Sequence, residues 1–244
     1  AARLARLEVM ARVDSTNGHL LRSDAPAGGF HACLAEYQQA GRGRRGRGWH
    51  SPLASNLYLS LATDLEAGPA GLEGFSLALG VAAVRALERI GLSGAGLKWP
   101  NDLLLAGRKL GGVLVELSGD PAGRCRVVAG LGLNVGMPPA DAAIDQPWAD
   151  VTELGPVSRN ALAAALIAEL IFAVDAFATQ GLAPLLPEWN ALDVMAGREV
   201  AVTLGERRIT GRAAGIDESG ALLLEGTDGP RRVCAGEVSL RGCG

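Results

Sequence analysis

The chain has 244 residues, enough for one large domain or for one large and one small domain. Hydrophobic residues make up 48% of it, which excludes a globally disordered protein, and aromatics only 4%, so its core must rest on Leu, Val and Ala. A formal charge of −3 excludes nucleic-acid binding by bulk electrostatics, so any basic site must be local.

The cysteines, Cys33, Cys125, Cys234 and Cys243, show no C-x-x-C spacing. They read as reduced thiols, which fits a cytoplasmic protein. No basic segment leads into a short apolar run at the start, so no signal peptide is expected. No uninterrupted apolar run approaches the ~20 residues that span a bilayer, so no membrane partner is expected.

In chain order, residues 7–13 alternate loosely and predict a first strand. Asp14-Ser15-Thr16-Asn17 are N-cap types and predict a short helix continuing through His19-Leu20-Leu21. Residues 31–38 (HACLAEYQ) read as a buried strand and 55–63 (SNLYLSLAT) as a strand of period two, with a Gly/Arg loop between them. Residues 75–90 (FSLALGVAAVRALERI) predict a helix stopped by Gly91. Residues 97–99 are extended before Pro100. Residues 103–105 and 110–117 predict a hairpin turning at 106–108, and 126–135 a further strand. Tight connections of this kind argue for an antiparallel sheet. Residues 137–156 read as a long connection, and 159–179 as an amphipathic helix between a Ser158 cap and Gly181. From Gly197 the pattern changes to short β runs separated by glycine turns, so a small all-β module is expected beyond a boundary at residues 191–197.

The loop Gly41-Arg42-Gly43-Arg44-Arg45-Gly46-Arg47-Gly48-Trp49 contains G-x-G-x-x-G. A dinucleotide loop must open a helix, and here a strand follows, so that reading is rejected. Four guanidinium groups so close repel one another unless an anion is present, and Arg forks match phosphate or carboxylate oxygens. A loop ordered by a phosphate-bearing ligand, a solvated surface loop and a nucleic-acid contact all fit the composition. Lys98-Trp99-Pro100-Asn101-Asp102 places an amide and a carboxylate at a strand end, suited to ribose, phosphate or Mg²⁺, or to a plain turn. Strand alternation puts Lys109 and Gly111 on one face, and Gly111-Gly112 in an apolar strand reads as a close ligand approach or a bulge. No Walker A, G-x-S-x-G or H-E-x-x-H sequence occurs. With only His19, His31 and His50, no His-based metal site or triad is expected.

Taken together these segments resemble the biotin protein ligases, and the resemblance runs nearly end to end. Asp14 to Asn17 looks like the family's biotin-pocket segment, and residues 36–49 look like its ligand-binding loop. Residues 98–102, 108–116 and 130–134 look like its nucleotide and biotin strands, and 236–241 like the end of its C-terminal domain. Gly48 departs from the family, which more often has a larger residue there.

The resemblance implies an α+β fold: a mixed, largely antiparallel sheet flanked by helices, class II synthetase-like, over residues 1–193, and a small SH3-like β-barrel over 194–244. It implies ATP, Mg²⁺ and biotin as cofactors and substrate, and a biotin carboxyl carrier protein or domain as acceptor. Biotin carboxylate would attack the α-phosphate of ATP, and an acceptor lysine would then displace AMP. By carry-over, Lys109 and Arg44 are catalytic. Ser15, Thr16, Asn17, Gln38, Arg42, Gly43, Arg44, Lys109, Gly111 and Gly112 bind biotin. Arg44, Arg47, Trp49, Asn101, Asp102, Lys109, Asn134 and Arg241 bind ATP. Two anions at ~3–4 Å repel by several kcal/mol in a poorly screened site, which Lys109, Arg44 and Arg47 would offset. No protein-held metal is expected. Lipoate–protein ligation is the alternative with related chemistry. Biotin-responsive repression is another, but only 13 residues precede Asp14, too few for a winged helix, so no nucleic-acid partner is expected. Homodimers occur in the family, and this sequence does not fix one.

Overall fold

The computed structural model describes residues 3–24, 29–66, 68–119, 124–138, 144, 146–227 and 229–240. Seven strands form one sheet: β1 Leu4–Met10, β2 Phe30–Ala35, β3 Leu57–Leu65, β4 Gly96–Lys98, β5 Asp102–Leu105, β6 Arg108–Gly119 and β7 Cys125–Leu133. Their spatial order is β1-β2-β3-β7-β6-β5-β4. Only β1 and β2 run parallel, and all other neighbours are antiparallel. The mixed, largely antiparallel sheet expected from the sequence is what forms. The first strand begins three residues earlier than its pattern suggests, and Val13 instead makes an isolated bridge to Gln38.

Strand alternation gives the sheet two different faces. Leu57, Leu59 and Leu61 of β3 and Val127, Ala129, Leu131 and Leu133 of β7 join the main core. Two helices cover that face: α2 Phe75–Arg89, followed by Gly91 at φ +84°, and α3 Arg159–Gln180, capped by Ser158 and ended by Gly181. The intervening residues face the other way. There Cys33, Ala62 and Val128 pack with Leu20 of α1, Thr16–Arg22, in a smaller core.

α3 is less amphipathic than its sequence spacing implied. Leu162, Leu166, Leu170, Val174 and Phe177 are buried, but Ala161, Ala164, Ala168 and Phe172 line its outer face. Within its 22 residues an 18-residue window reaches a mean hydropathy of 2.1, long and apolar enough to cross a membrane by length and composition, yet its inner face packs on α2. The β5–β6 hairpin turns through Ala106 (φ 49°) and Gly107 (φ 77°), the paired positive angles of a two-residue I′ turn.

A short helix that the sequence reading did not anticipate, α4 Leu186–Leu192, leads to the second sheet. Its strands are β8 Glu199–Leu204, β9 Arg207–Ile216, β10 Leu222–Gly226, β11 Gly229–Val233 and β12 Glu237–Leu240, in the order β11-β10-β9-β8-β12. Among the described residues this all-β unit is an open sheet and not the closed barrel expected, because no pairing joins β11 to β12. Its inner residues, among them Val200, Val202, Ile216 and Leu222, share one continuous core with α2 and α3. The Trp99 indole donates to Gly220 O at 2.9 Å, so the second sheet is pinned beside the end of β4.

Candidate active site

A cleft opens on the α1 face of the first sheet, where its strands carry small or polar residues. At one end, Ser15 caps α1 by accepting from Gly18 N–H at 3.4 Å. Thr16 N–H donates to Gln38 Oε1 at 3.0 Å, and the Gln38 amide donates to Ser51 Oγ at 3.1 Å. Ser60, on β3, lies 2.7 Å from Thr16 Oγ1 and 2.5 Å from Asn17 Oδ1. Its single proton must go to Asn17, whose amide oxygen can only accept. Asn17 Nδ2 in turn donates to Leu114 O at 3.2 Å and Glu116 Oε2 at 2.8 Å. Ser15, Thr16, Asn17, Gln38 and Ser60 are all buried, so this end is a pre-oriented set of donors and acceptors held out of water.

The floor is made of glycines. A Cβ on Gly130 would fall 2.3 Å from Asn17 Oδ1, and one on Gly132 would fall 2.5 Å from the Trp49 ring. On β6 the structure corrects the sequence reading. The β5–β6 register shifts between Leu103 and Leu104, leaving Leu110 as an extra residue. The bulge changes the parity, so Gly112, not Gly111, shares the cleft face with Lys109. A Gly112 Cβ would stand 3.7 Å from Lys109 Cε, whereas one on Gly111 would strike Leu133 Cδ2 at 2.5 Å in the core.

The opposite end is cationic. Asp102 sits between Lys109 Nζ at 2.7 Å and Lys98 Nζ at 3.2 Å. Lys109 Nζ also stands 5.7 Å from the centre of the Trp49 ring, a cation–π distance. Asn101 donates to Val113 O at 2.7 Å and presents its Oδ1 to Arg44 at 3.5 Å. Among the described residues Arg44 otherwise reaches only the Gly236 carbonyl, at 3.4 Å. Burial, then the neighbouring Arg45, pulls its pKa below the usual guanidinium value, against Glu237 and Asp102. A half-buried guanidinium held by two long neutral contacts has most of its donor capacity left for an anion.

The Gly/Arg loop folds back on itself: Gly43 N–H donates to Arg47 O at 2.8 Å and Trp49 N–H to Gly41 O at 2.8 Å. Its charge is balanced differently from the sequence expectation. Arg42 pairs with Glu116 at 3.0 Å and Arg47 with Glu237 at 2.6 Å, so protein carboxylates take the place of an anion at two of the four arginines. Arg42 thereby lies at the polar end and Arg44 at the cationic end, with Gly43 between them on the cleft wall.

Asn134 does not reach the cleft. It is buried and its amide donates to Lys109 O at 3.1 Å and Ala149 O at 3.0 Å, which ties the loop before the 3-10 turn Val151–Leu154 to β6. Arg241 lies outside the described residues. The sequence reading missed Ser60, Glu116, Gly130, Gly132 and Glu237. The signal available was Gly130-x-Gly132: glycines two apart in a strand share one face and leave room on it. Nothing local distinguishes Ser60 or the two glutamates.

A sequence profile of the biotin/lipoate A/B protein ligase family matches residues 9–134, and one of the biotin protein ligase C-terminal domain matches residues 196–241. The chain is 44% identical over 235 residues to the bifunctional ligase/repressor BirA of Escherichia coli, covering 96% of this chain and 73% of that protein. It is 32% identical to the biotin–[acetyl-CoA-carboxylase] ligase of Paracoccus denitrificans, covering 96% of this chain and all 100% of that one. The structure of the biotin protein ligase of Aquifex aeolicus with biotin and ATP is similar at a TM-score of 0.84 and 29% identity, covering 98% of this chain and 99% of that one.

Proposed function

The chain belongs to the biotin/lipoate A/B protein ligase family and is an ATP-dependent biotin protein ligase, and we propose how its cleft divides that work. The observation that carries the assignment is one continuous cleft with a buried polar donor–acceptor network at one end and Lys98, Lys109 and Arg44 at the other. The ureido ring of biotin, which both donates and accepts, suits Ser15, Thr16, Asn17 and Gln38, with Ser60 holding them. Arg42 and Gly43 close that end. The biotin carboxylate then points along Gly112 toward Lys109.

Lys109 and Arg44 lie where the carboxylate would meet the α-phosphate. Their charge offsets the repulsion of two anions and the charge that develops as pyrophosphate leaves. The acyl–phosphate bond forms as the phosphoanhydride bond breaks, giving biotinyl-5′-adenylate. Attack by an acceptor lysine amine on the acyl carbon then releases AMP. Trp49, Asn101, Asp102 and Arg47 line the nucleotide end, and loop closure shields the mixed anhydride from water. The two carboxylates on the cleft wall, Asp102 and Glu237, are already paired with cations, so Mg²⁺ fits here as a passenger of the triphosphate.

The acceptor we propose is a biotin carboxyl carrier protein or domain, as the acetyl-CoA-carboxylase ligase relatives suggest. The division into 1–193 and 194–244 is retained, supported by the change of sheet at β8. A homodimer, if formed, has the edge strand β1 to use, where Leu7 and Val9 are exposed. The test of the whole reading is biotin-dependent ATP–pyrophosphate exchange. Lys109→Ala and Arg44→Ala each depress it about 100-fold or more with the fold intact. Unchanged exchange in both removes these roles, and labelled lipoate outcompeting biotin in the transfer step redirects the substrate.

A further inference from the structure

A second polar cluster lies where α1 packs on the β1–β2 edge, and none of its members lines the cleft. Glu8 comes from β1, His19 from α1, and His31 and Cys33 from β2. The parallel register sets Cys33 opposite Glu8, and His31 shares its face two residues away. Candidate liganding atoms of Glu8, His19 and Cys33 all lie within 4.8 Å of one another. His31 is 1% exposed, and its Nε2 finds no hydrogen-bond partner among the described residues. It stops 3.5 Å from Glu8 Oε2, an aimed but unused nitrogen.

We propose that Glu8, His19, His31 and Cys33 bind a zinc-class divalent transition-metal ion that staples α1 to the edge of the sheet. Two imidazoles, a thiolate and a carboxylate are the borderline-soft set that Zn²⁺ takes in closed tetrahedral sites. With Zn–N near ~2.0 Å and Zn–S near ~2.3 Å, the edges of such a tetrahedron are about 3.3–3.7 Å. The His31–Glu8 separation of 3.5 Å matches an edge and the 2.5 Å His19–Glu8 contact needs to open by about 1 Å, while the His31 ring, which stands outside the 4.8 Å group of Glu8, His19 and Cys33, must swing inward to complete the set. A divalent ion with one thiolate and one carboxylate is electrically neutral, which suits a buried position. Arg6, which pairs with Glu8, is exposed and free to swing away. The staple lies one turn along α1 from Ser15, Thr16 and Asn17, so it holds the helix that presents them to the cleft.

The test uses the full, tag-free chain stripped by a chelator, with neither biotin nor ATP, titrated with Co²⁺. The expected result is one Co²⁺ per chain, a thiolate-to-cobalt charge-transfer band with strong tetrahedral visible bands, and their displacement by Zn²⁺. Cys33→Ser removes the charge-transfer band, and Cys234→Ser, at an exposed thiol, keeps it. His19→Gln, which alters a half-exposed side chain, weakens binding roughly tenfold or more and covers the case in which the Cys33 variant fails to fold. No charge-transfer band in the wild-type chain, or the same band in Cys33→Ser, overturns the proposal.

Discussion

Gly130→Ala isolates what the glycine floor does. The new methyl would sit 2.3 Å from Asn17 Oδ1 and 2.8 Å from its Cγ, so the amide must retreat by about 1 Å to reach ordinary contact. It cannot do so freely, because Ser60, Leu114 O and Glu116 hold it. The retreat breaks at least two of these hydrogen bonds, at about 1 kcal/mol each, and leaves the fully buried Ser60 hydroxyl with Thr16 Oγ1 as its acceptor. A loss of ~2–3 kcal/mol at the polar end corresponds to a roughly 30- to 150-fold rise in the KM for biotin in pyrophosphate exchange. KM for ATP should move less, since the new methyl meets Asn17 at the polar end, whereas Asp102 aligns with Gly112 and Gly132, two residues further along β7. Gly112→Ala is the control: its methyl would meet nothing closer than 3.5 Å, so its melting temperature should match wild type. A Gly130→Ala enzyme with wild-type biotin KM and wild-type melting temperature would refute the argument that the glycine exists to seat Asn17.

Three further outcomes follow from other parts of the structure. Asn134→Ala strips the buried Ala149 carbonyl of its side-chain donor, while the Lys109 carbonyl keeps the Ala149 N–H at 2.9 Å, costing ~1–2 kcal/mol and lowering the melting temperature by about 2–8 °C. A large fall in kcat without that loss of stability would restore Asn134 to a direct role at the nucleotide. Asp193 is buried, its Oδ2 has no partner among the described residues, and burial raises its pKa despite the Met195 N–H it accepts. A raised carboxyl favours folding below its unfolded value near ~4, and that favour is lost as pH rises through the folded value. Asp193→Asn should therefore gain about 1 kcal/mol in urea melts at pH 7 and nothing under acid conditions near pH 3. An equal gain at both would show that the charge is not the cause. Gly48→Ala places a methyl where nothing lies within 4 Å, and its φ is not in the left-handed region. Stiffening the loop should stabilise the closed form by ~0.4–1 kcal/mol, read as a two- to five-fold lower KM for ATP, and a rise would mean that the loop needs its flexibility there.

The Gly/Arg loop shows how far local sequence reaches. Its glycines and arginines predict a basic loop that folds over an anion, and strand-loop-strand context removes the dinucleotide reading. Which arginine meets which oxygen is decided by Glu116 and Glu237, which are 74 and 190 residues away from their partners. The helices and most strands were legible because caps, glycine stops and apolar spacing act within a few residues. Gly111 was misplaced because alternation assumes an unbroken pleat, and the bulge at Leu110 depends on pairing with β5. Asn134 was misread for a related reason: a polar residue after a strand looks the same whether it faces a ligand or two carbonyls. Ser60 looked like any residue of an alternating strand until α1 was laid across it. The sequence by itself determined most of the elements, the change to a second β unit and the residue types of the cleft, since these follow from residue type and short-range order. The tertiary structure alone decided the faces, the floor and the cluster of Glu8, His19, His31 and Cys33, because only packing brings distant residues to within a bond's length of one another.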